Sequence, residues 1–228
     1  MGCLEAVIYD FDGVVVDSEP IHLRGFQQVL ADVGLSITVE EYYGKYLGFD
    51  DHDCFVAVMK DNGKSMDDKL LQELTGKKAR LMLSDLTESI EPLPGAVELI
   101  RSCKAADIAV GVCSGALRDE IILAAKSIGV FDSFMNIVSA EDVKRGKPDP
   151  EGYHIARKNL SGLTGTDLPA CNCVVVEDSP AGIKAAKDAG MNVLAVMTSY
   201  PAERLTQADK IVASLTDISV DDLAELVG

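Results

Sequence analysis

Six short apolar segments recur along the chain, and segments with helical periodicity separate most of them. The apolar segments cover residues 4–10, 108–113, 135–138, 173–177, 193–197 and 210–213. Several are apolar at both alternating sets of positions, which is typical of strands buried on two faces. Because strands that alternate with helices usually build a parallel sheet, the pattern predicts an α/β fold with helices on both faces of a mainly parallel sheet.

Between residues 17 and 90 the strand pattern is absent, and four amphipathic segments predict helices. These segments cover residues 21–33, 40–46, 51–60 and 67–89. The prolines and the glycine of residues 91–95 indicate a linker back to the sheet. We therefore expect a core of residues 1–16 and 91–228 with an all-helical insert of residues 17–90. An insert beside a strand end is well placed to act as a lid, although a structural decoration would have the same pattern.

Two carboxylates stand at the end of the first apolar segment, where Asp10 and Asp12 precede Gly13. Ligands of open α/β sheets bind at the carboxyl ends of strands. Side chains of a regular strand alternate, so one of the two acids is expected to contribute its carbonyl oxygen after the turn at the glycine. Oxygen ligands of this kind suit a hard cation such as Mg²⁺.

Three later segments also place polar groups just beyond an apolar run. Ser114 and Gly115 precede a helical segment, and amides at a helix start favour phosphate. Lys147 lies in a proline-rich loop before another helix, where it could neutralise a phosphoryl oxygen. Glu177 and Asp178 form a second acidic strand end. If the first and fourth strands are neighbours, the four acids converge and need a cation to stay ionised.

Composition narrows the classes of partner. The 228 residues carry 37 acidic and 21 basic side chains, a net charge of −16 without a basic block, so a nucleic acid is not expected as a partner. No apolar stretch reaches membrane-spanning length, and no signal peptide is evident. The six cysteines are scattered, which favours a reduced cytoplasmic protein over a zinc site at Cys171 and Cys173. A monomer or a weak dimer is expected.

The four polar segments together resemble the motifs of the haloacid dehalogenase superfamily, in its phosphatase and phosphomutase branch. Residues 10–14 resemble the first motif, Ser114 the second, Lys147 the third, and Glu177 with Asp178 the fourth. The resemblance covers nearly the whole chain. It implies a Rossmann-like core with a helical cap inserted after the first motif.

The resemblance also implies a role for each residue. Asp10 would be the nucleophile that accepts the phosphoryl group, and Asp12 would be the general acid and base. Ser114, Gly115 and Lys147 would bind the phosphate. Mg²⁺ would be held by Asp10, the carbonyl of Asp12 and Asp178, with Glu177 binding it directly or through water. The expected function is a magnesium-dependent phosphatase that hydrolyses a small phosphorylated metabolite through an aspartyl phosphate.

Other branches of the superfamily remain as alternatives. Dehalogenases lack the second acid of the first motif, so Asp12 argues against that chemistry. A phosphonate hydrolase would need a cap lysine, for which Lys45 is the candidate. A mutase similar to β-phosphoglucomutase is the main rival, because His22 matches a histidine of that group. However, the loop of residues 47–52 offers Asp51 where a basic residue is expected, and an acid there repels a second phosphate.

Two residues are candidate substrate contacts, namely His22 on the first helix of the insert and Arg118 after Ser114. Each is also compatible with an ordinary structural role, His22 as a packed side chain and Arg118 as an ion-paired surface residue. A binding protein with little activity is a further alternative, although a scaffold has no physical need for clustered acids. The pattern of the insert does not identify which phosphate ester is bound.

Overall fold

The computed structural model of the chain describes residues 3–47, 49, 51–88 and 90–227, with the side chains of residues 84–88 excepted. The chain divides into two compact units. Residues 1–17 and 90–228 form one, and residues 18–89 form the other. We call them the sheet unit and the helical unit. Their boundaries lie within one residue of those expected from the sequence.

The sheet unit is built on a six-stranded parallel sheet, in the order β3-β2-β1-β4-β5-β6. Each of the six apolar segments supplies one strand, so the α/β prediction is confirmed. The strands are β1 (Ala6–Tyr9), β2 (Ala109–Cys113), β3 (Asn136–Val138), β4 (Cys173–Glu177), β5 (Asn192–Val196) and β6 (Lys210–Val212). Strands β2 and β3 lie on one side of β1. The chain then crosses over, and β4, β5 and β6 lie on the other side of β1.

Helices cover both faces of this sheet. Residues Ile8 and Val175 point to one face and pack with Leu160 and Ile183 of two helices. On the opposite face the hydroxyl of Tyr9 lies 3.5 Å from the sulfur of Cys103 in another helix. The α-helices of the sheet unit are α5 (Ala96–Ala105), α6 (Arg118–Ser127), α7 (Glu151–Thr164), α8 (Pro180–Asp188) and α9 (Val220–Ala224). Both faces of the central strands are therefore buried, which explains their continuous apolar sequence.

The helical unit has its own hydrophobic core, which includes Phe26, Tyr42, Phe55 and Leu74. Its elements are α1 (Glu19–Ala31), α2 (Val39–Glu41) running into a π-helical turn (Tyr42–Tyr46), α3 (Asp51–Asp61) and α4 (Asp68–Glu88). These elements match the four predicted helical segments. The last residue of the predicted 67–89 helix lies outside the described residues, as do Gly48 and Asp50 of the 47–52 loop.

None of the six cysteines, all of which the structure describes, forms a disulfide, and four of them (Cys54, Cys103, Cys113 and Cys173) are buried. Within the described part of the chain, no helix is both long and apolar enough to cross a lipid bilayer.

Burial on α7 predicts a large difference between two leucines of that helix. Leu160 is fully buried against the sheet, whereas Leu163 is 59% exposed. We expect Leu160→Ala to lower the free energy of unfolding by about 2–5 kcal/mol, because it removes packed methyl groups and leaves a cavity. The control, Leu163→Ala, should change it by less than about 0.5 kcal/mol. Urea titration followed by circular dichroism measures both, and equal losses would contradict this account of the core.

Candidate active site

The pairing of β1 with β4 brings the two acidic strand ends together. In this parallel pair Tyr9 lies opposite Val176. The next residue, Asp10, donates its backbone N–H to the carbonyl of Val176 at 2.9 Å, so the pairing continues to the end of both strands. Asp10 therefore lies beside Glu177 and Asp178 at the carboxyl edge of the sheet. The condition set by the sequence, that the first and fourth strands are neighbours, is met.

A single ammonium group joins two of these acids. The Nζ atom of Lys147 lies 2.8 Å from Oδ1 of Asp10 and 2.6 Å from Oε1 of Glu177. The side chain of Glu177 is fully buried, and those of Asp10 and Lys147 are 12% and 17% exposed. Ion pairs at this depth are screened weakly by solvent. Lys147 is thus brought to the acids from a loop that is 30 residues distant from Glu177 in sequence.

The carboxylate of Glu177 accepts hydrogen bonds on both oxygens. Its Oε1 accepts from Lys147 and from the hydroxyl of Tyr153 at 3.0 Å. Its Oε2 accepts from the N–H groups of Asp178 and Ser179, both at 2.9 Å, and from the Ser179 hydroxyl at 3.0 Å. A Cβ at Gly182 would overlap this carboxylate, so the glycine makes room for it. Glu177 is held in one position by this shell of donors.

The pKa values of the site reflect its burial and its charges. Burial raises the pKa of Asp10 well above its usual range, and Glu177 and Asp178 add to this effect against Lys147. Burial and the charge of Glu177 raise the pKa of Asp178 to about 7. Burial works against the charge of Lys147, but Asp10 and Glu177 outweigh it and raise the pKa of the lysine. The acids are therefore short of positive charge.

This deficit fits a divalent cation. Asp10, Glu177 and Asp178 each offer a carboxylate oxygen, and the three oxygens lie within 4.8 Å of one another. Three carboxylates and one ammonium group leave two negative charges, which one divalent cation would balance. All three donors are hard oxygen ligands of the kind that Mg²⁺ prefers. Three of the four residues that the sequence proposes as metal ligands thus form a set that suits this ion. Asp12, proposed to bind through its backbone carbonyl, is not among these carboxylate donors.

Asp12 and Ser114 meet at the same edge of the sheet. The Ser114 hydroxyl donates to Oδ2 of Asp12 at 3.3 Å and accepts from the N–H of Ala116 at 3.0 Å. Ser114 follows β2, which is the other neighbour of β1. Gly115 is exposed beside it. These residues come together because β1 lies between the two strands that carry the second and fourth motifs.

A cavity of about 240 Å³ opens between these elements, lined among others by Ser114, Gly115, Lys147 and Tyr153. Asp149 supports the loop that carries Lys147, because its Oδ1 accepts from the N–H of Glu151 at 3.0 Å. Pro150 is the residue just before α7, which begins at Glu151.

Arg118 is engaged within the sheet unit. Its Nη2 atom lies 2.5 Å from Oδ2 of Asp142 and donates to the carbonyl of Ile137 at 3.1 Å. The side chain of Arg118 is 41% exposed. These contacts hold α6 to the end of β3. The role of Arg118 as a substrate contact stays a prediction.

His22 belongs to a polar cluster of the helical unit that surrounds the buried Lys78. Lys78 has a fully buried side chain and donates from Nζ to Nδ1 of His22 at 2.9 Å and to Oδ1 of Asp51 at 2.5 Å. The same ammonium lies 4.3 Å from the centre of the Phe26 ring. Burial and the charge of Lys78 lower the pKa of His22 to about 3. Since an ammonium group can only donate, Nδ1 accepts, and the ring proton of His22 is on Nε2.

Lys45, the candidate residue for the phosphonate hydrolase alternative, forms an ion pair with Asp61. Lys45 lies 2.5 Å from Oδ2 of Asp61, and this hydrogen bond raises the pKa of the lysine. An imine-forming lysine must be a neutral amine, which a raised pKa opposes. The geometry around Lys45 does not support that alternative.

Three contributors were missed by sequence reasoning, namely Tyr153, Gly182 and Lys78. The sequence did contain a signal for Tyr153. This residue lies six positions after Lys147, and it shares the buried face of α7 with Ala156 and Leu160. A polar tip on an apolar helix face next to a site lysine indicates a buried hydrogen bond. Gly182 and Lys78 had no such signal. Gly182 leaves space for the side chain of Glu177, and Lys78 contacts His22 and Asp51 on other helices, so both roles depend on the folded arrangement.

The glycine at position 182 gives a sharp test of the Glu177 environment. We expect Gly182→Ala to lower the free energy of unfolding by about 1–3 kcal/mol, because the new methyl group collides with the Glu177 carboxylate. The matched control is Gly162→Ala in α7, where a Cβ meets no atom within 4 Å. There the better helix former should raise stability by up to about 1 kcal/mol. If thermal unfolding shows the same sign for both variants, the proposed packing of Glu177 is wrong.

The cluster in the helical unit predicts an unusual histidine. At about pH 5 a histidine in an unfolded peptide is mostly protonated, whereas His22 should remain neutral with its proton on Nε2. Long-range ¹H–¹⁵N correlation spectra of the imidazole distinguish these states. Lys78→Met should move the pKa of His22 upward, because the opposing charge is removed. A doubly protonated ring in the parent protein at that pH would contradict the cluster.

Comparisons with known proteins agree with this geometry. Residues 7–196 match the family model of haloacid dehalogenase-like hydrolases. The chain is 31% identical to fructose-1-phosphate phosphatase YqaB of Escherichia coli over 83% of this chain and 95% of that protein. It is 26% identical to the beta-phosphoglucomutase of Bacillus subtilis, over 97% of this chain and 95% of that protein.

A solved structure shares the fold. The crystal structure of CbbY from Rhodobacter sphaeroides in complex with phosphate superposes with a TM-score of 0.84 at 22% identity, covering 96% of this chain and 99% of that one. The chain therefore belongs to the haloacid dehalogenase-like hydrolases, which confirms the family, the α/β fold and the phosphatase class of enzyme expected from its sequence.

Proposed function

We propose that this protein is a magnesium-dependent phosphatase that hydrolyses a small phosphate monoester, such as a sugar phosphate, through an aspartyl phosphate on Asp10. One observation carries the proposal: Lys147 is held between Asp10 and Glu177 in a cluster of three buried carboxylates. Phosphoryl transfer to a carboxylate requires positive charge beside that carboxylate, and Lys147 supplies it at the carboxyl edge of the sheet. Relatives that include a sugar phosphate phosphatase support the substrate class.

In the first half of the reaction, an oxygen of Asp10 attacks phosphorus and the bond from phosphorus to the ester oxygen breaks. Asp12 gives its proton to the departing oxygen. Lys147, Ser114 and the N–H of Gly115 hold the three other phosphoryl oxygens. Asp10, the carbonyl of Asp12 and Asp178, with Glu177 nearby, would hold Mg²⁺, whose charge would offset the repulsion between the carboxylate and the anionic ester.

In the second half, Asp12 is a carboxylate and takes a proton from water. The water oxygen attacks phosphorus, the bond from phosphorus to Asp10 breaks, and inorganic phosphate leaves. The free Asp10 carboxylate and the protonated Asp12 are thus restored, so one group serves as acid and then as base. The hydrogen bond from Ser114 supports this role, because it holds the Asp12 side chain at the site.

The helical unit would act as the cap of this enzyme. It is inserted between β1, which ends at the proposed nucleophile, and the remainder of the sheet unit. Such an insert can exclude water and select the substrate. His22 is proposed as a substrate contact that offers a neutral N–H. The thiol state of the six cysteines, none of which is in a disulfide in the described residues, supports a reducing, cytoplasmic location. A monomer or weak dimer stays a prediction.

A sugar phosphate mutase is the second candidate, because the Bacillus subtilis relative is a beta-phosphoglucomutase. The sequence argument against it is the acid Asp51 at the start of α3, but the ammonium group of Lys78 pairs with this carboxylate and reduces its repulsion of a second phosphate. A panel of phosphorylated metabolites separates the two. A phosphatase releases phosphate from one of them without an activator, whereas a mutase converts a sugar monophosphate only when a bisphosphate is added.

The nucleophile is tested by Asp10→Asn. We expect turnover of an aryl phosphate to fall by at least about 10³-fold, because a neutral amide cannot accept the phosphoryl group. The control is Asp188→Asn on α8, an exposed acid paired with Lys184, which should retain activity. Both are measured with magnesium and with a chelator, and the chelator should abolish turnover of the parent protein. Undiminished turnover by the Asp10 variant would remove Asp10 from its role.

A further inference from the structure

Ser199 lies at the edge of the candidate active site without a role in the chemistry above. It follows β5, which pairs with β4 so that Ala195 lies opposite Glu177. The residues just after β5 therefore stand beside Asp178, which is just after β4. Ser199 is partly buried there, whereas its neighbour Thr198 is exposed.

The Ser199 hydroxyl lies beside the side chain of Asp178. Burial and the charge of Glu177 raise the pKa of that acid, and hydrogen bonding to the Ser199 hydroxyl opposes the rise. Gly13 lies close to the same carboxylate and to Ser199. A Cβ built on Gly13 would overlap Oδ2 of Asp178 and would lie 3.0 Å from Oγ of Ser199. Gly13 has a φ of +75°, a conformation that glycine adopts at little cost. The acid is thus enclosed between the turn after β1 and the loop after β5.

The need for a neutral partner follows from the charges around Asp178. Its neighbours Glu177 and Asp12 are acids that repel it. Lys147 is already paired with Asp10 and Glu177. A rotation that takes Asp178 away from the other acids would lower this repulsion, so an unsupported side chain would leave the ligand set. A hydroxyl that donates to Asp178 opposes that rotation without neutralising the carboxylate.

We propose that Ser199 is a positioning residue, which orients the Asp178 carboxylate toward Asp10 and so completes the site for the divalent cation. The inference rests on the proposed function, because it concerns the metal of that same site. Partners of metal ligands generally affect affinity by about 10–100-fold when they are removed. The prediction is therefore a loss of metal affinity that does not depend on turnover.

Direct binding of Mn²⁺ provides the test, because free and bound Mn²⁺ are distinguished by electron paramagnetic resonance without any substrate. We expect Ser199→Ala to bind Mn²⁺ about 10-fold more weakly than the parent protein. Ser199→Thr keeps a hydroxyl and should restore most of the affinity. Thr198→Ala removes the neighbouring exposed hydroxyl and should leave affinity unchanged. Circular dichroism checks that all four proteins are equally folded.

Two outcomes would overturn the inference alone. In one, the parent binds Mn²⁺ and Ser199→Ala binds it within about twofold of the parent. In the other, Ser199→Thr or Thr198→Ala loses as much affinity as Ser199→Ala, which would assign the effect to the loop. If the parent protein does not bind Mn²⁺, the proposed metal dependence of the function is wrong, and the inference about Ser199 is wrong as well.

Discussion

The repulsion among three buried carboxylates is the constraint on which the candidate active site depends. Asp10, Glu177 and Asp178 converge because their strands are neighbours, and the fold offers them one ammonium group, that of Lys147. Burial of charge costs free energy unless partners compensate it. The compensation is concentrated on Glu177, whose oxygens accept five hydrogen bonds. Asp10 and Asp178 are left short of positive charge, and this shortage is what a cation and a phosphate site require.

The fold makes this arrangement by position in the sheet and not by local sequence. β1 is central and lies between β2 and β4. Its end therefore receives Ser114 from one neighbour and Glu177 with Asp178 from the other. Lys147 arrives from the loop before α7, a helix that packs on the same strands through Leu160. A parallel sheet turns four distant segments into one site because all its strands end at the same edge.

Much of this could be predicted from the sequence, for identifiable reasons. Continuous apolar segments predicted the strands, because β1 and β4 are buried on both faces. Asp10, Asp12 and Asp178 stood out, because charged residues just after buried strands have few structural reasons to be there. Lys147 stood out by its place in a proline-rich loop before a helix. The end of β4 also carried a local signal, since Ser179 caps α8 by accepting from the N–H of Gly182. Such signals involve residues close together in the chain.

The parts that sequence reasoning missed depend on contacts between distant residues. Tyr153 reaches Glu177 across 24 residues, and Lys78 reaches His22 across 56. Lys78 illustrates the limit, because a lysine on an amphipathic helix is normally solvated by water. Here its stem runs along Gly25, where a Cβ would lie 3.2 Å from its Cγ. The missing side chain at position 25 creates the channel that buries the lysine, and no pattern along α1 or α4 alone records this match.

The apolar core and two glycines also explain how a site with strong repulsion among its acids is compatible with a stable fold. Helices pack on both faces of the sheet, away from the edge that carries the acids. The burial of this large apolar core stabilises the fold against the charge repulsion at that edge. Gly13 and Gly182 lack a side chain at the two points where a carboxylate needs the space. Each therefore allows an acid to approach the backbone closely, where N–H groups can serve as donors, as they do for Glu177. Local geometry thus holds the acids in position, while their negative charge is left for a bound cation to balance.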